Sequence, residues 1–288
     1  MRRLHDTAAR AALESSALVV PARPSTFPDG PVAEIRDQMA RFSEGDEHAD
    51  RRADVEAAIA DVDVSALSTE VLERTRAALQ ARPSDVERID ALSDIGMVVP
   101  TLALLAALGV EQSEVARRAA DVGLIVASIG RGAAVTADTD AAARRLLAEF
   151  ATHSAGPVAA ISMLYQNHDA TAALFGSVLL ARATGETRHN ALARTVRVAL
   201  EPTTVIDADV TDADVIDAEV TAGEVVEVSL DGEDVEFGAG RHACPGERLA
   251  VAIVDAMIAA IDGSEFTVDI GDVALGDDQR PTALPLSS

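Results

Sequence analysis

The stretch Phe237-Gly238-Ala239-Gly240-Arg241-His242-Ala243-Cys244-Pro245-Gly246 decides the reading of this chain, because it holds the only cysteine among 288 residues. Gly238, Gly240 and Gly246 keep Cβ atoms out of the way, so the loop can pass close beneath a flat ligand where side chains would collide. A helical pattern follows from about Glu247 to Ile261. The loop therefore ends at a helix N-terminus, whose N–H groups and positive dipole end stabilise a thiolate. A cysteine so placed is suited to act as a thiolate, the form that ligates metals. Phe237 is placed to shield the sulfur from water. The bland alternative is a free cysteine buried as a small hydrophobe beside a glycine turn.

Working outward, 48% of the residues are hydrophobic, which predicts a globular chain, and only 2% are aromatic with no Trp. The interior must then be built from Ala, Val, Leu and Ile, and the long Ala-rich and Leu-rich stretches favour helix. Lys+Arg total 24 against Asp+Glu 48, every basic residue is Arg, and the formal charge is -24. Such a surface repels phosphate backbones and anionic lipid, so neither nucleic acid nor membrane is expected as a partner. One cysteine rules out an intramolecular disulfide. Leu4 to Leu18 is broken by His5, Asp6, Arg10 and Glu14 and has no signal-peptide core. The apolar run Met97 to Val110 contains Pro100 and falls short of the roughly 20 residues that a bilayer requires. A cytoplasmic, acidic protein is the expectation.

Residues 1–45, with Pro21, Pro24, Pro28, Gly30 and Pro31, read as a short helix and an irregular N-terminal segment, and 46–288 as a single ligand-binding domain. Helical spacing covers Asp54 to Ala60, Ser68 to Ala81 and Val86 to Leu108, with Gly109 as a C-cap. It resumes over Ser113 to Ser128, Thr139 to Ala151 and Val158 to Ala183. The last of these is apolar around much of its circumference, as a central buried helix would be. After Pro202, Val residues among Thr and Asp predict short hairpins, and Phe266-Thr267-Val268 a β-like tail. The predicted fold is mainly α with a small β region.

The cysteine loop resembles the haem loop of the cytochrome P-450 family, whose Phe, Gly, Cys and Gly positions are matched by Phe237, Gly240, Cys244 and Gly246. With 6 Phe and 18 Gly in the chain, that match would arise around the one cysteine by chance about once in ten thousand. Glu47-His48-Ala49-Asp50-Arg51-Arg52 resembles the family's helix motif, in which a His and an Arg four residues apart contact a haem propionate. An i, i+4 pair shares one helix face, so His48 and Arg52 could reach one carboxylate. The resemblance places His242 at a propionate as well, whereas Arg241 could equally face solvent. Gln166-Asn167-His168-Asp169-Ala170-Thr171-Ala172 resembles the helix segment that lines the family's oxygen site. Asp169 stands at the acid position that relays protons, Ala170 where an alcohol is usual, and Thr171 at the second Thr. His168 reads as a groove or surface histidine. Without the alcohol, protons must arrive through water or substrate.

Other positions depart further. Arg194-Thr195-Val196-Arg197 matches the family's helical Glu-x-x-Arg with its acid replaced by Arg194, so the usual buried pair cannot form. Ile206 and Asp207 occupy the place of the family's further propionate-binding Arg. Only Asp231 to Glu236 stand for the long meander before the cysteine loop, and the segment before His48 is short. The likeness covers about residues 35 to 265.

The resemblance implies a reduced P-450-like fold carrying haem b (iron protoporphyrin IX). Cys244 would be its metal ligand, and His48, Arg52, Phe237, Gly238, Gly240, His242 and Gly246 its binding set. The implied activity is a haem-thiolate monooxygenase or peroxide-using oxidase acting on a small organic molecule, with Asp169 and Thr171 catalytic. Electrons would come from a ferredoxin-type donor, because no dinucleotide fingerprint is present. The acidic surface is awkward for an acidic donor, which keeps peroxide in play. The alternative is a catalytically silent haem-binding partner or carrier protein, for which the lost Glu-Arg brace and the lost alcohol both speak.

Overall fold

The Ala-rich and Leu-rich stretches wind into nine α-helices among the residues described by the computed structural model, which are 2–81, 88–186, 194–200, 203–204, 219–230, 235–276 and 281–287. The helices are α1 (Asp6–Glu14), α2 (Pro31–Gln38), α3 (Gly45–Ala60), α4 (Val64–Gln80), α5 (Val99–Ala107), α6 (Gln112–Gly130), α7 (Ala137–Glu149), α8 (Pro157–Thr184) and α9 (Glu247–Asp262). At 28 residues α8 is the longest, and it packs against α3, α5, α6, α7 and α9. It buries apolar residues on most of its faces, Ile161, Leu164, Phe175 and Leu179 among them. A helix that is apolar nearly all round has to be central.

Short strands complete the order: β1 (Arg2–Leu4), β2 (Leu18–Val19), β3 (Arg88–Asp90), β4 (Arg194–Ala199), β5 (Thr203–Thr204), β6 (Glu219–Val220), β7 (Val225–Ser229), β8 (Thr267–Val268), β9 (Ala274–Leu275), β10 (Pro281–Ala283) and β11 (Pro285–Ser287). One sheet runs β1-β7-β4-β2, with β1 parallel to β7 and the other pairs antiparallel. A second runs β3-β11-β8, and β5-β6 and β9-β10 are two-stranded. The chain is mainly α with a small β region, as its composition predicts.

Two cores result. The large one joins α2 to α9. The small one packs Ala9, Ala12 and Leu13 of α1 against Leu18, Val226 and Val228 of the first sheet, and it includes Val235 and Ala239 beside the cysteine loop. The first 45 residues are thus not an irregular lead-in. They carry α1, α2 and two strands, and they back the loop that holds Cys244.

Two helical readings are corrected. Val86 to Leu108 is not one helix: the described part is β3, a π-helical turn at Ala91–Gly96, and α5. The Asp90 carboxylate caps the Leu92 and Ser93 N–H groups and starts the turn, and Pro100, which has no N–H to donate, falls in the first turn of α5. The α5 end is as predicted, with Gly109 at φ 85° and the Val110 N–H returning to the Leu105 carbonyl. Residues 194–197 form strand β4 rather than a helix, because Thr195, Val196 and Val198 favour a pleated strand and pair in register with β7. The predicted hairpins at Val205, Val210 and Val215, together with Ile206 and Asp207, lie outside the described residues. The run from Met97 to Val110 supplies core residues such as Leu104 and Leu105, and among the described residues no helix is long and apolar enough to cross a membrane.

Helix α6 is tied to α7 through Asp121, whose buried carboxylate accepts from Arg145 Nη2 at 2.6 Å and Arg118 Nη1 at 3.2 Å. Asp121→Ala takes the acid partner from Arg145, while Arg118 keeps Glu149 and Glu114, and is expected to lower unfolding free energy by about 1–2 kcal/mol in urea denaturation. A change below about 0.5 kcal/mol would show that the cluster adds nothing to stability.

Candidate functional site

Three backbone features shape the loop before α9. Gly238 has φ 76°, and a Cβ there would lie 3.1 Å from the His242 carbonyl oxygen. Gly240 has φ 60°, and a Cβ there would meet the Cα of Glu14 at 3.2 Å. Both positions therefore need glycine for conformation and for space. The Cys244 N–H donates to the Phe237 carbonyl at 2.7 Å and closes the loop on itself. Helix α9 begins three residues after the cysteine, at Glu247, with Gly246 as its N-cap.

Cys244 is a free thiol that opens on a cavity of about 230 Å³ between this loop and α8. A single water needs only about 10–15 Å³, so the space suits a multi-atom organic group. Burial pushes the thiol pKa up, with Glu247 acting the same way, against a hydrogen bond from the Gly246 N–H and the charges of Arg52 and Arg41. Phe237, Gly238 and Gly246 line the same space as the sulfur. Gly240 stands outside it, against α1.

His48 and Arg52 both rise from α3 to the cavity edge, on one helix face as the i, i+4 spacing predicts. Both also hold the loop. His48 Nε2 lies 2.9 Å from the Arg241 carbonyl oxygen and Nδ1 2.9 Å from that of Ala40. Arg52 Nη1 donates to the Arg241 carbonyl at 3.1 Å and to that of Ala243. The rings of His48 and His242 sit 4.0 Å apart.

A group that the sequence does not single out completes the arrangement. Glu44, the residue before α3, accepts from the Val20 N–H at 2.7 Å, Arg197 Nη1 at 3.1 Å and Arg241 Nε at 3.0 Å, and it meets His242 Nε2 at 3.2 Å. Burial raises the Glu44 carboxylate, but the Val20 N–H, Arg241 and His242 outweigh it and hold the pKa below the ordinary range. Burial, reinforced by the Arg197 charge, holds the His242 ring down at about 4 against the pull of Glu44. Arg241 is not a free surface residue, because Nη1 and Nη2 donate to the Ser15 and Leu18 carbonyls. Arg197, 1% exposed, reaches the cavity from strand β4, where its burial lowers the pKa to about 10. Its alternation with Val196 and Val198 is the signal that would have placed it on a strand.

The α8 wall presents Gln166, Asn167, Ala170, Thr171 and Leu174 to the cavity. The Thr171 hydroxyl donates to Asn167 Oδ1 at 2.9 Å. Asp169 lies on the adjacent flank and is not among the lining residues. Its carboxylate accepts from Arg131 and from His168 Nδ1 at 2.8 Å. Burial raises the Asp169 pKa, but those two bonds outweigh it and hold the group at about 2.

A haem fits these residues on the structure's own terms. Arg197 Nε is buried at the cavity without a hydrogen-bond partner among the described residues, a donor that a ligand carboxylate would satisfy. His48, Arg52 and His242 stand beside it. Among the described residues no three His, Cys, Asp or Glu side chains converge as a metal cage, whereas one thiolate suffices for an iron already held in a macrocycle.

No protein-family model matches the chain, and no curated protein matches it significantly in sequence. Solved structures do match. CYP109Q5 from Chondromyces apiculatus superposes with a TM-score of 0.71 at 13% identity, over 97% of this chain and 87% of that one. CYP101C1 gives 0.70 at 19% identity, over 98% and 86%. P450BioI, in complex with an acyl carrier protein ligated to hexadec-9Z-enoic acid, gives 0.69 at 14% identity, over 97% and 90%. Agreement of that extent at so low an identity is a statement about architecture, and this chain has the cytochrome P-450 fold.

Proposed function

We propose that the protein is a haem-thiolate oxidoreductase that oxidises a small organic molecule, with Cys244 as the axial ligand. One observation carries this reading: the only cysteine opens on an organic-sized cavity, across from a central helix and beside an orphan arginine donor. The bound haem would supply activation of oxygen or peroxide, its thiolate favouring O–O cleavage.

The chain's own residues would do the rest. The Gly246 N–H steadies the sulfur. Arg197 Nε is free for a haem carboxylate, as is Nη2 of Arg52, whose Nε serves Glu56 and whose Nη1 serves the loop. His48 and His242 flank the same region. Phe237 and the aliphatic lining exclude water. We assign hydrogen bonding and proton handling at the cavity to Thr171 and Asn167, which are among its lining residues and are hydrogen-bonded to each other. Asp169, held near pKa 2 by Arg131, stays deprotonated at neutral pH and passes protons only when it leaves that ion pair. Electrons would come from a ferredoxin-type donor, and the charge of -24 favours peroxide as an alternative oxidant. Ala170, at the position where the family carries an alcohol, supports a second reading, a haem-binding protein without turnover.

A reduced-plus-carbon-monoxide difference spectrum of the purified protein is expected to carry the red-shifted band of a thiolate-ligated haem, and Cys244→Ala to lose it. Protein that stays colourless after haem supplementation would end this reading. Thr171→Val removes the hydroxyl that orients Asn167 and is expected to cut substrate oxidation per oxidant consumed by about tenfold, less than the roughly 100-fold or more of a lost general acid or base because Asn167 remains. Unchanged coupling would remove Thr171 from that role. Asp169 is bound to its partners more strongly when folded than when unfolded, so its stabilising effect is full above its ordinary 3.8 and is lost as pH falls toward about 2. The stability gap between wild type and Asp169→Asn should therefore close over that window, and a gap independent of pH would contradict the assignment.

A further inference from the structure

The cavity's charge runs against that of the protein. Acidic residues outnumber basic ones 48 to 24, yet the charged lining includes Arg41, Arg52 and Arg197 with Glu236 as the one carboxylate. Arg197 is paired with Glu44 and Arg52 with Glu56. Arg41 differs from both. It projects from the single 3₁₀ turn Ala40–Phe42, exposed at the edge of the cavity, and among the described residues it has neither a carboxylate partner nor a hydrogen bond. It lines the cavity together with Ala40, His48 and Arg52. In a chain with two acids for every arginine, a cation at a cavity mouth that meets no acid among the described residues is a place for a ligand's counter-charge.

A second observation is independent of the first. Because the Thr171 hydroxyl donates to Asn167 Oδ1, the Asn167 Nδ2 amine is left as a donor, buried and without a partner among the described residues, on the α8 wall of the same cavity. A buried donor with no acceptor is costly, and a ligand oxygen relieves that cost. Between these two polar points the lining is aliphatic, with Leu104, Met163 and Leu174.

We propose that the cavity binds a small organic acid, whose carboxylate pairs with Arg41 at the mouth and whose apolar body lies along α8 within reach of Asn167. This rests on the haem reading only insofar as His48, Arg52, Arg197 and His242 are taken up by the haem carboxylates, which leaves Arg41 for the substrate.

Isothermal titration of the haem-loaded protein with 4-phenylbutyrate and octanoate, each against its primary amide, tests this directly. The acids are expected to bind about tenfold more tightly than the amides, the scale of one charge-assisted contact. Arg41→Gln should abolish that preference and Arg41→Lys should keep most of it. The proposal is overturned if neither acid binds, if acids and amides bind alike, or if the preference survives in Arg41→Gln. It is equally overturned if Arg41→Gln loses the haem that the wild type retains, since Arg41 would then serve the haem carboxylates. A colourless wild type with an Arg41-dependent preference for acids would sink the haem reading and leave this inference standing.

Discussion

A ten-residue loop with almost no regular hydrogen bonding must be held so that one sulfur faces a cavity, and the start of α3 holds it. Glu44, His48 and Arg52 lie at i, i+4 and i+8, on one helical edge, and each reaches the same few residues of the loop. Arg52 donates to the loop carbonyls of Arg241 and Ala243 and His48 lies against the first of them, while Glu44 accepts from Arg241 and meets His242, so that both are fixed in place. Arg241 carries the tie onward to the carbonyls of Ser15 and Leu18, and through them to the first sheet. Remove this contact and the two halves of the cavity lose their common frame.

Electrostatics and burial oppose each other throughout the site. Burial pushes the Cys244 thiol up and the His242 ring down, disfavouring charge in both. The cations beside them work to keep the sulfur usable as an anion, and a metal at that position would deprotonate it outright. Glu44 pays part of the cost of packing Arg197 and Arg241 so close together. This acid is supplied by the residue just before α3. Residues 194–197 lie on strand β4 and so do not form the family's helical Glu-x-x-Arg pair.

Local features were legible in the sequence and long-range ones were not. Gly238 and Gly240 announce positive φ, and their spacing to Cys244 is a local pattern that any register of the fold must respect. Helices α6, α7, α8 and α9 follow from long, consistent apolar periodicity. The break before α5 depends on Asp90, whose second carboxylate oxygen accepts from the Leu284 N–H 194 residues away. Arg197 was misplaced on a helix because a six-residue valine-rich stretch suits either structure until β7 pairs with it. Glu44 left no signal, since its partners Arg197 and Arg241 lie 153 and 197 residues distant. That Arg41 meets no carboxylate among the described residues is a property of the folded surface, which no sequence pattern encodes.

Everything said of chemistry rests on sulfur meeting iron at the foot of the loop. Iron-edge X-ray absorption on the haem-loaded protein measures that bond without reference to turnover. The account requires one sulfur scatterer in the first shell beside the porphyrin nitrogens, absent in Cys244→Ala. A first shell of nitrogen and oxygen alone in the wild-type protein would contradict it.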